Sequence, residues 1–135
     1  MKSKGPLRVV VYLRVHADEL NQVTSLHLQG EYYRHLVENH AQWKYVGIYT
    51  DEPGKETGLN KMLEDAKAGK FDLILVKSFS HLKHNLMESL DIIYDLRNLP
   101  DPVGVYLETM SLNSLEKSAD YTLQVLYLIA HEYDK

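Results

Sequence analysis

The sequence predicts an α/β domain: a mainly parallel sheet of four to five strands flanked by helices. Short apolar runs rich in β-branched residues alternate along the chain with longer segments of helical periodicity, which is the pattern of βαβ units. A parallel sheet of this kind is covered on both faces. The chain has 135 residues, enough for one such domain with one hydrophobic core over residues 1–135. It contains no cysteine, so neither disulfides nor thiolate-held metal can contribute to its stability.

The elements follow in order. Leu7-Arg-Val-Val-Val-Tyr-Leu13 is β-branched and apolar and predicts a buried strand. From Ser25 to about Asn39, Leu28, Tyr32, Leu36 and His40 recur every four residues, which predicts a helix. Tyr45-Val-Gly-Ile-Tyr49 predicts the second strand, followed by the turn cluster Thr50-Asp-Glu-Pro-Gly54. Leu59 to Lys67 predicts a second helix, stopped by Gly69. Phe71-Asp-Leu-Ile-Leu-Val76 predicts the third strand. Leu86 to Leu99 predicts a third helix, ended by Pro100 and Pro102. Val103-Gly-Val-Tyr-Leu107 predicts the fourth strand, and Tyr121 to Tyr133 a final helix that is apolar over more than one face. That helix either sits at the centre of the domain's own core or offers a dimer surface.

Charge limits the function classes. Fifteen Lys and Arg stand against nineteen Asp and Glu, a formal net charge of −4. Phosphate neutralisation supplies much of DNA affinity, so a domain of this balance is expected to hold DNA weakly and without sequence preference. No apolar run approaches the roughly 20 residues that span a bilayer, and the N-terminus lacks the apolar stretch of a signal peptide. No membrane partner is expected, and a bacterial or phage cytoplasm is the expected compartment.

In an open α/β sheet, ligands bind beyond the carboxyl ends of the strands. Three polar clusters fall there: Arg14-Val-His16, Thr50-Asp-Glu52, and Ser78-Phe-Ser-His-Leu-Lys-His-Asn85. Their wording is specific. Tyr12-Leu-Arg-Val-His16 resembles the Y-x-R-V-S opening of serine recombinases, the resolvase/invertase family. Ser25-Leu-His-Leu-Gln29 resembles the S-x-x-x-Q that follows, and Trp43 to Glu52 the W-x-x-V-x-x-Y-x-D-E stretch. Met62 to Ser80 is similar to the family's central block, while Val103 to Glu108 and Leu126 to Glu132 are similar to its later strand and helix. The resemblance covers nearly the whole chain and implies a resolvase-like N-terminal catalytic domain.

In that family a serine attacks a DNA phosphodiester within a synaptic tetramer. The product is a 5′-phosphoserine linkage, and arginines stabilise the charge that develops on the phosphate. By resemblance the site positions here are Arg14, His16, Gln29, Asp51, Ser80, His81 and His84. Arg14, Gln29 and Asp51 keep the family's residues. His16 stands at the nucleophile position and Ala17 follows it where threonine is usual. Glu56 falls near an arginine position, with Thr57 in place of proline. The S-R-L-x-R-N element reads Ser80-His-Leu-Lys-His-Asn85, with histidine at both arginines, and Tyr133 replaces the arginine after Glu132. Asp51 serves equally well as a turn cap, and Gln29 as a structural residue of its helix.

The expected function is therefore a recombinase-like domain without strand-exchange activity, working through association with itself or a homologue by its C-terminal helix. The alternatives are an active recombinase with an unorthodox site, or a metal- or anion-binding protein on the same fold. His16, His81 and His84 are the candidate ligands for that last reading. Strands one and three are expected as neighbours, and the spacing of three puts His81 and His84 on one face of a helical segment. Loss of function at a site released from selection is the outcome expected for them, and no cofactor is expected. Family members continue beyond the equivalent of Glu132 into a DNA-binding region, so the C-terminal DNA-binding part is expected to be absent from residues 1–135.

Overall fold

A computed structural model describes residues 5–15 and 22–133. The elements run β1 (Leu7–Arg14), α1 (Gln22–Glu38), β2 (Trp43–Asp51), α2 (Thr57–Lys67), β3 (Leu73–Val76), α3 (Phe79–Leu82), α4 (Leu86–Arg97), β4 (Gly104–Leu107), a 3₁₀ turn (Glu108–Met110), β5 (Leu112–Asn113) and α5 (Ala119–Tyr133). The sheet order is β2-β1-β3-β4-β5. The first four strands pair in parallel and β5 returns antiparallel beside β4.

The sheet divides the interior into two cores, as a strand buried on both faces requires. Val9, Val11 and Leu13 of β1 pack towards α1 with Leu73, Leu75, Tyr33 and Val37. The alternate residues Val10 and Tyr12 face the other way, into a larger core with Leu59, Met62, Leu90, Ile93 and Leu123 from α2, α4 and α5. Register at the end of the first pair sets Arg14 of β1 opposite Asp51 of β2.

Local chemistry sets the helix ends. Gly69 adopts φ +76°, the left-handed conformation that closes α2 with a Gly69 N–H bond to the Ala66 carbonyl at 3.0 Å. Asn85 caps α4, its side chain accepting from the Glu88 amide at 3.2 Å. The α1 stripe differs from its expected use. Leu28 and Tyr32 are exposed, and the buried residues are Tyr33 and Val37, a spacing of four that runs one residue further round the helix. His40 lies beyond the end of α1 and stacks on Trp43 with ring centroids 3.9 Å apart.

α5 is buried on one side and exposed on the other. Ala119, Leu123 and Ala130 are buried in the larger core, while Tyr121, Leu128 and Ile129 stand exposed on its outer side. No helix among the described residues is long and apolar enough to cross a membrane.

Candidate functional site

A polar relay crosses the carboxyl ends of β1 and β2. Tyr12 and Arg14 lie two apart on one strand, so both face the α2 side of the sheet. Arg14 Nη2 donates to the Tyr12 hydroxyl at 2.8 Å, and that hydroxyl donates to Asp51 Oδ2 at 2.7 Å. Burial, then the bond to Asp51, pushes the Tyr12 phenol well above its ordinary pKa, so it stays a donor. Asp51 is buried and accepts from the Gly58 and Leu59 amides at 2.7 and 2.8 Å, which makes it the cap of α2. Its negative charge also suits the positive end of that helix. Glu56 occupies the N-cap position itself, yet its side chain makes no capping bond.

Instead the Glu56 carboxylate turns to two cations. Its Oε2 lies 2.6 Å from Lys83 Nζ and 3.8 Å from Arg14 Nη2. Arg14 is further fixed by Nη1 donating to the Lys55 carbonyl at 3.0 Å. Its Nε is buried with no hydrogen-bond partner among the described residues. These groups border a hollow of about 440 Å³ lined by Arg14, Val15, Pro53, Gly54, Glu56, Ser80 and His84. The ion-paired groups Arg14, Lys83 and Glu56 sum to one positive charge.

Arg14, Ser80 and His84 line this hollow, and Asp51 is joined to Arg14 through the Tyr12 hydroxyl. His81 does not line the hollow; its Nδ1 lies 2.7 Å from the Ser78 hydroxyl, which is 3.1 Å from that of Ser80. The expected helical pairing of His81 with His84 is corrected. α3 ends at Leu82, and Lys83 is extended with φ −142° and ψ 153°, so the two histidines do not share a helix face. Ser89 forces this exit, its buried hydroxyl accepting from the Lys83 amide at 3.1 Å and donating to the Phe79 carbonyl at 2.8 Å. Gln29 borders a different hollow, on the α1 side, with Tyr32, Lys77 and Glu108. His16 lies outside the described residues. Among those described, no group of three or more histidines and carboxylates is placed to hold a metal ion.

Residues 9–134 match the family model described as Resolvase, N terminal domain. The chain belongs to the resolvase family. The resolvase-like fold is similar to the N-terminal catalytic domain of TP901-1 integrase, at 18% identity and TM-score 0.65 over 94% of this chain and 95% of that one. It is similar to a resolvase family site-specific recombinase from Streptococcus pneumoniae, at 22% identity and TM-score 0.70 over 94% and 89%. A third likeness is to the C-terminal catalytic domain of ISC1926 TnpA, an IS607-like serine recombinase, at 18% identity and TM-score 0.60 over 76% and 69%. These identities speak for the fold alone. A comparison with curated proteins gave no match.

The contacts of two residues at the hollow of this resolvase-family domain are not foretold by the motifs. Lys83 sits at the unspecified position of the Ser80 to Asn85 element, and nothing local to it foretells a partner 27 residues away. Tyr12 opens the Y-x-R-V-S motif, but its bonds to Arg14 and Asp51 are signalled only by its alternation with Arg14 along the strand.

Proposed function

We propose that this resolvase-family domain does not perform DNA strand exchange and acts by associating with itself or with an intact homologue. The observation that carries the reading is the Glu56 carboxylate 2.6 Å from Lys83 and 3.8 Å from Arg14. The family's phosphate is stabilised by a surplus of arginine charge, and here an internal anion cancels half of the cationic charge in the hollow. His16 stands where the family places its serine, and His81 and His84 stand at arginine positions. Losing a single preorganised donor to a developing oxyanion typically costs about 10²–10³-fold in rate, and several are missing. The exposed outer face of α5, with Tyr121, Leu128 and Ile129, supports the association half of the proposal. The net charge of −4 supports DNA contact that is weak and independent of sequence.

The test is to incubate the protein with supercoiled plasmid and with short duplexes, then resolve the products on denaturing gels. The expected result is no nicked or linearised plasmid and no DNA-linked protein band. A covalent protein–DNA band would make the alternative correct: an active recombinase with an unorthodox site.

A further inference from the structure

We propose that Ser78 and His81 form a nucleophile–base pair, and that Ser78 takes an acyl group from activated esters. The Ser78 hydroxyl lies 2.7 Å from His81 Nδ1. At that distance an imidazole with its ring proton on Nε2 accepts the hydroxyl proton as the oxygen attacks. The pair is separate from position 16, where the resemblance places the nucleophile, and neither member takes part in the Glu56 ion pairs.

Structural duty does not account for the pair. Ser78 stands at the N-cap of α3, where a serine side chain ordinarily accepts from an amide of the first turn. Here it makes no capping bond. The turn is closed by backbone instead, the His81 amide donating to the Ser78 carbonyl and the Lys83 amide to the Phe79 carbonyl, each at 3.1 Å. Leu82 is buried in the larger core, and the Ser89 hydroxyl ties Phe79 and Lys83 to α4. Both side chains therefore ride on a fixed turn, which holds the attacking oxygen and its base in one geometry. Ser78 and His81 are half-buried rather than sealed, and Ser80 is exposed on the rim of the hollow, so an electrophile reaches the pair from solvent. The Ser80 hydroxyl lies 3.1 Å from that of Ser78. With the Ser78 proton directed at His81, Ser80 is left to donate to the Ser78 oxygen, a bond that strengthens as negative charge appears there.

The chemistry selects a neutral carbonyl. Attack on a phosphodiester adds charge to an anion and needs a surplus of fixed cations beside it. An activated ester starts neutral and brings its own good leaving group, so a nucleophile and a base suffice. In the step, the Ser78 oxygen bonds to the carbonyl carbon and the bond from that carbon to the leaving oxygen breaks. The Ser78 proton goes to His81 Nδ1, the leaving group departs as its anion, and the histidinium then gives its proton to water.

The experiment treats the protein with p-nitrophenyl acetate, quenches samples in acid at intervals, and locates the acetyl groups by peptide mass spectrometry. Exposed Ser118 serves as the ordinary hydroxyl within the same chain. Ser78 is expected to acetylate at least about tenfold faster than Ser118, since a positioned base contributes about 10²–10⁴-fold. His81→Gln keeps a hydrogen-bond acceptor but no base, and is expected to remove that advantage. Free imidazole added to His81→Ala is expected to restore the rate at Ser78 relative to Ser118, which a histidine serving only the fold would not allow. Acetylation of Ser78 no faster than Ser118, an unchanged rate in His81→Gln, or no recovery with imidazole would overturn the pair. Acetyl on Ser80 in place of Ser78 would overturn the choice of nucleophile. Strand exchange is read on a DNA gel and this reaction by acetyl mapping, so either reading can fall alone.

Discussion

Replacing Asp51 by alanine is expected to destabilise the domain by about 3–5 kcal/mol, the range for breaking a buried charged network from one side. The carboxylate accepts from Tyr12, Gly58 and Leu59 at 2.7 to 2.8 Å, with the Thr57 hydroxyl at 3.4 Å, and is almost fully buried. Alanine leaves two amides and a phenol without an acceptor, at about 1–3 kcal/mol for each group that water cannot reach. It also removes the negative charge from the start of α2. Asp51→Asn keeps an oxygen in place and is expected to cost roughly half as much by the same reasoning. Urea unfolding of the three proteins measures the series. A loss below about 1 kcal/mol in Asp51→Ala would mean the relay is not a structural element.

Gly58→Ala is expected to cost about 2 kcal/mol or more, despite the near 1 kcal/mol by which alanine improves on glycine inside a helix. A Cβ at this position collides with the Thr50 carbonyl oxygen, with the carbonyl carbon at 3.0 Å and Asp51 Oδ1 at 3.1 Å. The obstacle is backbone, so α2 must withdraw from the end of β2 and pull its amides off Asp51. Gly47→Ala supplies the contrast, since a Cβ there meets nothing within 4 Å. Thermal unfolding should leave Gly47→Ala near wild type and lower the midpoint of Gly58→Ala. Equal midpoints would show that α2 can move at no cost.

Gly58 also marks what a sequence conceals. Gly58 lies just outside the helix read from Leu59 to Lys67, and its role shows only once the approach of α2 to β2 is known. The strand–helix alternation was legible because β1 to β4 and the long helices carry enough apolar residues to declare their period. α3 and β5, at four and two residues, are too short to have one. The inner face of α1 was obscured because apolar Leu28 and Tyr32 lie outside, Tyr32 being turned to Glu108 by its hydroxyl at 2.8 Å. Arg14, Asp51, Ser80 and His84 were placed together by motif. The Glu56–Lys83 pair was not, since it joins a helix start to a loop far along the chain and only the folded sheet brings them together.

His16→Ser tests the central claim most directly, because it restores the hydroxyl at the nucleophile position and leaves the cations of the hollow as they are. The measurement is the amount of covalent protein–DNA complex formed with supercoiled plasmid, resolved on a denaturing gel beside the wild type. The account predicts no complex from either protein, since Glu56 still cancels half of the Arg14 and Lys83 charge and histidines still stand at positions 81 and 84, where the resemblance places arginines. A DNA-linked band from His16→Ser would contradict it, by showing that the hydroxyl alone was missing and that the charge in the hollow suffices for strand cleavage.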